Sequence, residues 1–147
     1  MADIVRRAEA RWNGNLIEGG GSFTVGSGAL GEQAISWGAR TEAPGGNTSP
    51  EELIAASHAS CYAMAFSHTL AEAGSPADSL TVSAEVSFVP IPEGGFRVGS
   101  SNLTVSGKVP GIDQAQFEDL AAQGEAGCPI SNALRGNVEI SLSATLE

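Results

Sequence analysis

Cysteine is scarce in this 147-residue chain, with Cys61 and Cys128 the only two. That excludes a disulfide-stapled scaffold. The chain does not need one, since a domain of about 150 residues buries roughly 68–70% of the surface its unfolded chain exposes. Cations are scarce as well, with 7 Lys and Arg against 17 Asp and Glu and a net charge of −10. Nucleic-acid binding draws its affinity from Lys and Arg on phosphates, so no nucleic-acid partner is expected, and the same sign disfavours an anionic membrane surface. No apolar run approaches the ~18 residues of a membrane-crossing helix. The opening residues, Met1-Ala2-Asp3-Ile4-Val5-Arg6-Arg7, lack the apolar core of a secretory signal. The expected location is therefore cytoplasmic, where thiols are kept reduced and a pair of cysteines is more often catalytic than structural. Two histidines accompany the two cysteines, but C-x2-C and H-x3-H spacings are missing, so no metal is expected. Gly19-Gly20-Gly21 is no phosphate loop, and no G-x-S-x-G elbow occurs. No cofactor is expected either. Aromatic residues make up only 5% of the chain, so small side chains must carry much of the close packing.

What is present reads as one domain, 1–147, of α+β class with mainly antiparallel sheets. From Ile4 to Trp12 the residues alternate, with Ala8, Ala10 and Trp12 on one face, which predicts a strand. Asn13-Gly14-Asn15 is a hairpin signal, with Leu16 to Glu18 pairing back and Gly19-Gly20-Gly21 a flexible break. Short strands are expected over Ser22 to Val25 and Ala34 to Gly38, the latter leading to Arg40 at a strand end. Ser49, Pro50 and Glu52 have the spacing of a capping box with proline at the first helical position. The helix they open runs to Ala73 and stops at Gly74. Almost no charge falls between Leu53 and Leu70, the pattern of a buried central helix. Further strands are expected over Leu80 to Val89, Phe96 to Val109 and Asn137 to Leu146, and further helices over Asp113 to Gln123 and Pro129 to Leu134.

The two cysteines carry the chemistry. A thiol is a nucleophile only as thiolate, which cations and helix N-termini favour and apolar surroundings oppose. Cys61 lies about three turns into the apolar helix, so it needs a cation from elsewhere. Cys128, before Pro129, occupies an N-cap position where a thiolate is favoured. Either could instead be a small packed hydrophobe. His58 stands three residues before Cys61 on one helix face and could touch the thiol, though a packed or solvent-facing ring is the commoner outcome. His68 has no special context. Arg40, in Gly38-Ala39-Arg40-Thr41-Glu42, reads by itself as a surface charge.

The stretch Asn47-Thr48-Ser49-Pro50-Glu51-Glu52-Leu53-Ile54-Ala55-Ala56-Ser57-His58-Ala59-Ser60-Cys61 resembles the family of osmotically inducible protein C and the organic hydroperoxide resistance proteins, the OsmC/Ohr family. So does Ala126-Gly127-Cys128-Pro129-Ile130-Ser131-Asn132-Ala133-Leu134, and Ala39-Arg40-Thr41-Glu42 and Val109-Pro110-Gly111-Ile112-Asp113 look like its osmotically inducible branch. The family usually reads Gly-Thr-Asn-Pro where this chain has Asn47-Thr48-Ser49-Pro50, and Ser and Asn both cap helices well. The resemblance implies an intertwined α+β homodimer with antiparallel sheets around a long central helix and sites built from both subunits. It implies reduction of organic hydroperoxides, and of hydrogen peroxide, with Cys61 peroxidatic and Cys128 resolving. Arg40 matches the arginine that stabilises thiolate and peroxide, and Glu51 the glutamate that orients it. The reductant implied is a dithiol, dihydrolipoamide or a lipoylated protein.

Leu53, Ile54, Tyr62 and Phe66 are candidates to receive the organic part of the peroxide, positions that serve equally well as core. The competing reading is a dimeric binding module with an apolar cavity and two incidental cysteines. The two readings differ in redox behaviour, since a binding module keeps both thiols when peroxide is added.

Overall fold

The structure, a computed structural model, describes residues 1–147. The chain forms two compact units, Met1–Leu53 and Ile54–Glu147.

The first unit holds a three-stranded antiparallel sheet of β1 (Ala8–Asn13), β2 (Gly20–Val25) and β3 (Gln33–Ile35), in that order. Several expectations change here. Leu16 to Glu18 do not pair back. They form the turn, in which the Glu18 N–H donates to Asn15 Oδ1 at 2.7 Å. Gly20 and Gly21 are no flexible break but the start of β2, paired with Asn13 and Trp12. A Cβ at Gly21 would collide with the Arg11 carbonyl of the neighbouring strand, so the close approach of the two backbones requires glycine there. The strand expected over Ala34 to Gly38 stops at Ile35. Ser36 caps a short helix instead, its Oγ accepting from the Ala39 N–H at 3.1 Å, and α1 (Trp37–Thr41) carries Arg40. Arg40 is thus on a helix, not at a strand end. This unit buries only Phe23 and Glu51, and Ile4, Val5, Trp12, Leu16, Ile17 and Leu30 stay exposed.

α2 (Pro50–Glu72) is the long helix. Its N-terminus is as expected in part, with the Glu52 N–H donating to Ser49 Oγ at 3.1 Å. The Glu52 carboxylate does not return to the cap; it accepts from the Thr48 hydroxyl at 2.8 Å. Gly74 ends the helix with φ at 79°, and the Ser75 N–H reaches the Leu70 carbonyl at 2.9 Å, as in a Schellman stop.

In the second unit, β4 (Ser79–Pro90), β5 (Phe96–Lys108) and β6 (Glu139–Leu146) form a sheet in sequence order. β4 and β5 are antiparallel, but β5 and β6 are parallel, so this sheet is mixed rather than antiparallel. The reason lies in the connection. Between β5 and β6 the chain passes through α3 (Gln114–Ala126) and α4 (Pro129–Leu134), a crossover long enough to bring the next strand back in the same direction. A complete capping box starts α3, with Asp113 Oδ1 accepting from the Gln116 N–H at 2.9 Å and Gln116 Oε1 accepting from the Asp113 N–H at 3.1 Å.

The core of this unit joins Tyr62, Phe66 and Leu70 of α2 to Leu103 and Val105 of β5, Phe117 and Ala121 of α3, and Cys128. The buried positions of α2 recur every fourth residue, His58, Tyr62, Phe66 and Leu70, and form one stripe. The helix is therefore buried along one side within the chain rather than all round, and Met64 remains 68% exposed. Phe66 packs its ring 5.1 Å from Phe117 and 5.7 Å from Tyr62, centroid to centroid. A Cβ at Gly124 would stand 3.0 Å from Phe66 Cα, so a bare glycine lets α3 approach α2 closely.

Candidate active site

Cys61 lies midway along α2 and is half-buried, while Cys128 is fully buried at the N-cap of α4. The proline at the first position of α4 needs no N–H partner, and Cys128 Sγ accepts from the Ser131 N–H at 3.5 Å. Both thiols are free, and their sulfurs stand 3.4 Å apart. A disulfide needs about 2.05 Å, so closing the pair takes a movement of little more than an ångström. Cys61 keeps some exposed surface and Cys128 keeps none. Burial pushes the Cys61 thiol up from its ordinary value, the Ile130 backbone N–H acts the other way, and the adjacent Cys128 sulfur adds to the rise. Each influence comes from the second unit and none is a cation. Apolar surroundings disfavour a thiolate and a nearby positive charge favours one.

The first unit holds an arginine–carboxylate pair. Arg40 of α1 grips Glu51 in the first turn of α2 with two nitrogens, Nε at 3.1 Å and Nη2 at 2.8 Å from the same carboxylate oxygen. The Nε also lies 3.2 Å from the second oxygen. Glu51 is buried, and the Arg40 side chain keeps about a third of its surface. A fork of this kind fixes the plane of the guanidinium.

His58 is neither solvent-facing nor on the thiol. It is fully buried, with Nδ1 2.6 Å from Ser101 Oγ and Nε2 2.7 Å from Ser131 Oγ. Neither serine stood out in the sequence. The available signal was periodicity, because His58 begins the every-fourth-residue stripe and a polar ring on a buried stripe requires partners. His68 is exposed. Of the four residues considered for the organic part of the substrate, Tyr62 and Phe66 have no exposed surface and belong to the core, with the Tyr62 hydroxyl donating to the Ala121 carbonyl at 3.0 Å. Leu53 and Ile54 are half-buried. A surface hollow of about 540 Å³ in the second unit, lined by Met64, Ser67, His68, Ala71 and Leu80 among others, includes neither cysteine. No group of three or more His, Cys, Asp or Glu side chains could hold a metal ion, and no helix is long and apolar enough to cross a membrane.

The profile of the OsmC-like proteins matches residues 43–143, a span that includes Glu51 and both cysteines. The chain belongs to the OsmC family. Peroxiredoxin OsmC of Escherichia coli (strain K12) is 36% identical to it over 137 residues, 93% of this chain and 94% of that protein. An organic hydroperoxide resistance protein of Xanthomonas axonopodis pv. citri (strain 306) is 34% identical over 103 residues, 69% of each chain. The crystal structure of an organic hydroperoxide resistance protein from Elizabethkingia anophelis superposes with a TM-score of 0.77 at 25% identity, covering 99% of this chain and 100% of that one. The mixed sheet, the long helix and the two short helices of the second unit are therefore an OsmC-like fold.

Proposed function

We propose that this OsmC-family chain is a cytoplasmic cysteine peroxidase that reduces organic hydroperoxides, and hydrogen peroxide, through a Cys61 sulfenic acid resolved by Cys128. The observation that carries the reading is the pair of free sulfurs 3.4 Å apart, one half-buried and one fully buried. The relatives named peroxiredoxin and organic hydroperoxide resistance protein support it.

The Cys61 thiolate attacks the distal peroxide oxygen. The O–O bond breaks, the alkoxide leaves and takes a proton as the alcohol, and the sulfur is oxidised by two electrons to the sulfenic acid. The Cys128 thiol then condenses with it, forming the S–S bond and releasing water. A dithiol, dihydrolipoamide or a lipoylated protein, exchanges with the disulfide and restores both thiols while being oxidised itself. Arg40 supplies the cation that favours the thiolate and hydrogen-bonds the peroxide oxygens, and the Glu51 carboxylate orients it. Leu53 and Ile54 receive the organic part of the substrate.

The active assembly is an intertwined homodimer with sites built from both subunits. The first unit buries only Phe23 and Glu51 and exposes seven large apolar side chains. A partner subunit would cover such side chains where they form a continuous patch. The test is turnover of cumene hydroperoxide with dihydrolipoamide as reductant. Cys61→Ser abolishes turnover in this scheme, and full activity in that variant defeats it.

A further inference from the structure

His58 and Cys61 stand three residues apart on α2, and α4 touches the helix at both. The Cys61 and Cys128 sulfurs meet at 3.4 Å, and His58 Nε2 meets Ser131 Oγ at 2.7 Å. The Ser131 backbone N–H closes the loop by donating to Cys128 Sγ at 3.5 Å. On its other side the ring is tied to β5 through Ser101 Oγ at 2.6 Å.

Burial lowers the His58 pKa, with Glu125 acting against that change and Arg135 with it. Those two charges are themselves paired at 2.8 Å. A neutral imidazole has one donor and one acceptor, and here each nitrogen has one hydroxyl, so the ring is fully used and its orientation fixed. Apolar side chains in place of His58, Ser101 and Ser131 together would fill the same space without the cost of desolvating polar groups. What a histidine adds is direction, a bond from the helix bearing one sulfur to the helix bearing the other.

We propose that His58 is a positioning residue for the resolving step, holding α4 through Ser131 so that Cys128 stays within reach of Cys61. The proposal rests on the two-cysteine peroxidase reading and concerns only its second reaction, the condensation of the Cys61 sulfenic acid with the Cys128 thiol to give disulfide and water. Oxidation of Cys61 weakens the sulfur–sulfur contact as a thiol pair, and the His58–Ser131 bond is the attachment that chemistry at the sulfurs leaves alone. If condensation is slow, a second hydroperoxide molecule oxidises the sulfenic acid to sulfinic acid and is itself reduced to the alcohol.

The test separates the two reactions in the reduced full-length protein mixed with cumene hydroperoxide. Peroxide loss in the first turnover reports attack. Acid-quenched intact mass reports sulfenic, disulfide and sulfinic forms. His58→Asn places an amide where Nδ1 lies and gives up Ser131, Ser131→Ala removes the hydroxyl, and His58→Gln extends an amide to the Nε2 position. In His58→Asn and Ser131→Ala, attack proceeds at the parental rate while disulfide formation slows about tenfold, the factor carried by one buried hydrogen bond. Excess peroxide then adds two oxygens to Cys61. His58→Gln recovers most of the lost rate. Disulfide formation at the parental rate in both His58→Asn and Ser131→Ala overturns the proposal, and so does equal slowing of both reactions, which is the mark of general structural loss. Because Ser131→Ala removes a single oxygen, it keeps the test usable if the histidine variants fold poorly. If the unsubstituted protein loses no thiols to peroxide, the peroxidase reading itself has failed, an outcome distinct from either of these.

Discussion

Arg40 and Glu51 make the clearest case of a role that depends on one side chain holding another. The thiol they are proposed to serve is pushed up by burial. Removing the cation in Arg40→Ala should therefore lower the thiolate fraction at neutral pH and move the pH–rate profile for peroxide attack toward alkaline pH. An unchanged profile would count against the role. Glu51→Ala should give a smaller loss of the same kind, because the guanidinium keeps its charge and loses its orientation. His58 gives a stability signature of opposite character. Its folded pKa lies below the ordinary 6.5, so the unfolded chain takes up a proton first as pH falls. The contribution is fully present above about 6.5 and is lost as pH drops from there toward the folded value. Urea unfolding between neutrality and the carboxylate range should show that decline, reduced in His58→Gln. Of these residues, the cysteines stood out by count and context alone. Only the resemblance marks Arg40 and Glu51, since eleven positions of separation hide an ion pair from any local pattern. Ser101 and Ser131 were invisible because a serine's partner is decided by tertiary packing.

The elements were legible where their ends are chemically marked. Asp113 and Pro129 announced α3 and α4, and Ser49 and Gly74 bracketed α2. Errors fell where a neighbouring strand or a helix cap overrides the apparent local pattern. Gly20 and Gly21 looked like a break, but the Arg11 carbonyl needs the bare backbone of Gly21. The stretch ending in Gly38 looked extended, but the Ser36 hydroxyl turns it into α1. The alternation of β6 fixed which face it buries and said nothing of its direction beside β5, because period-two patterning is the same in parallel and antiparallel pairs. The every-fourth-residue stripe of α2 carries the packing of the second unit. Phe66→Ala should cost about 3–5 kcal/mol of unfolding free energy, since Phe66 is fully buried between Tyr62 and Phe117. A loss under about 1 kcal/mol by urea titration would mean that the site collapses freely and is not the centre of this core.

For the molecule as a whole, the homodimer proposed above makes a prediction in solution. A net charge of −10 keeps copies soluble and apart at long range, yet Trp12, Ile17 and Met64 stay exposed. Sedimentation at moderate salt should therefore give twice the 14.9 kDa chain mass, and a monomer at micromolar concentration would contradict the homodimer. The most direct measurement, however, is on the two sulfurs. Free thiols on the reduced protein are titrated before and after a single equivalent of tert-butyl hydroperoxide, with Cys61→Ser and Cys128→Ser in parallel. Rapid loss of both thiols in the parent chain, and of none in the Cys61 variant, is the expected result. Survival of both thiols in the parent chain would contradict the catalytic account, whatever the family.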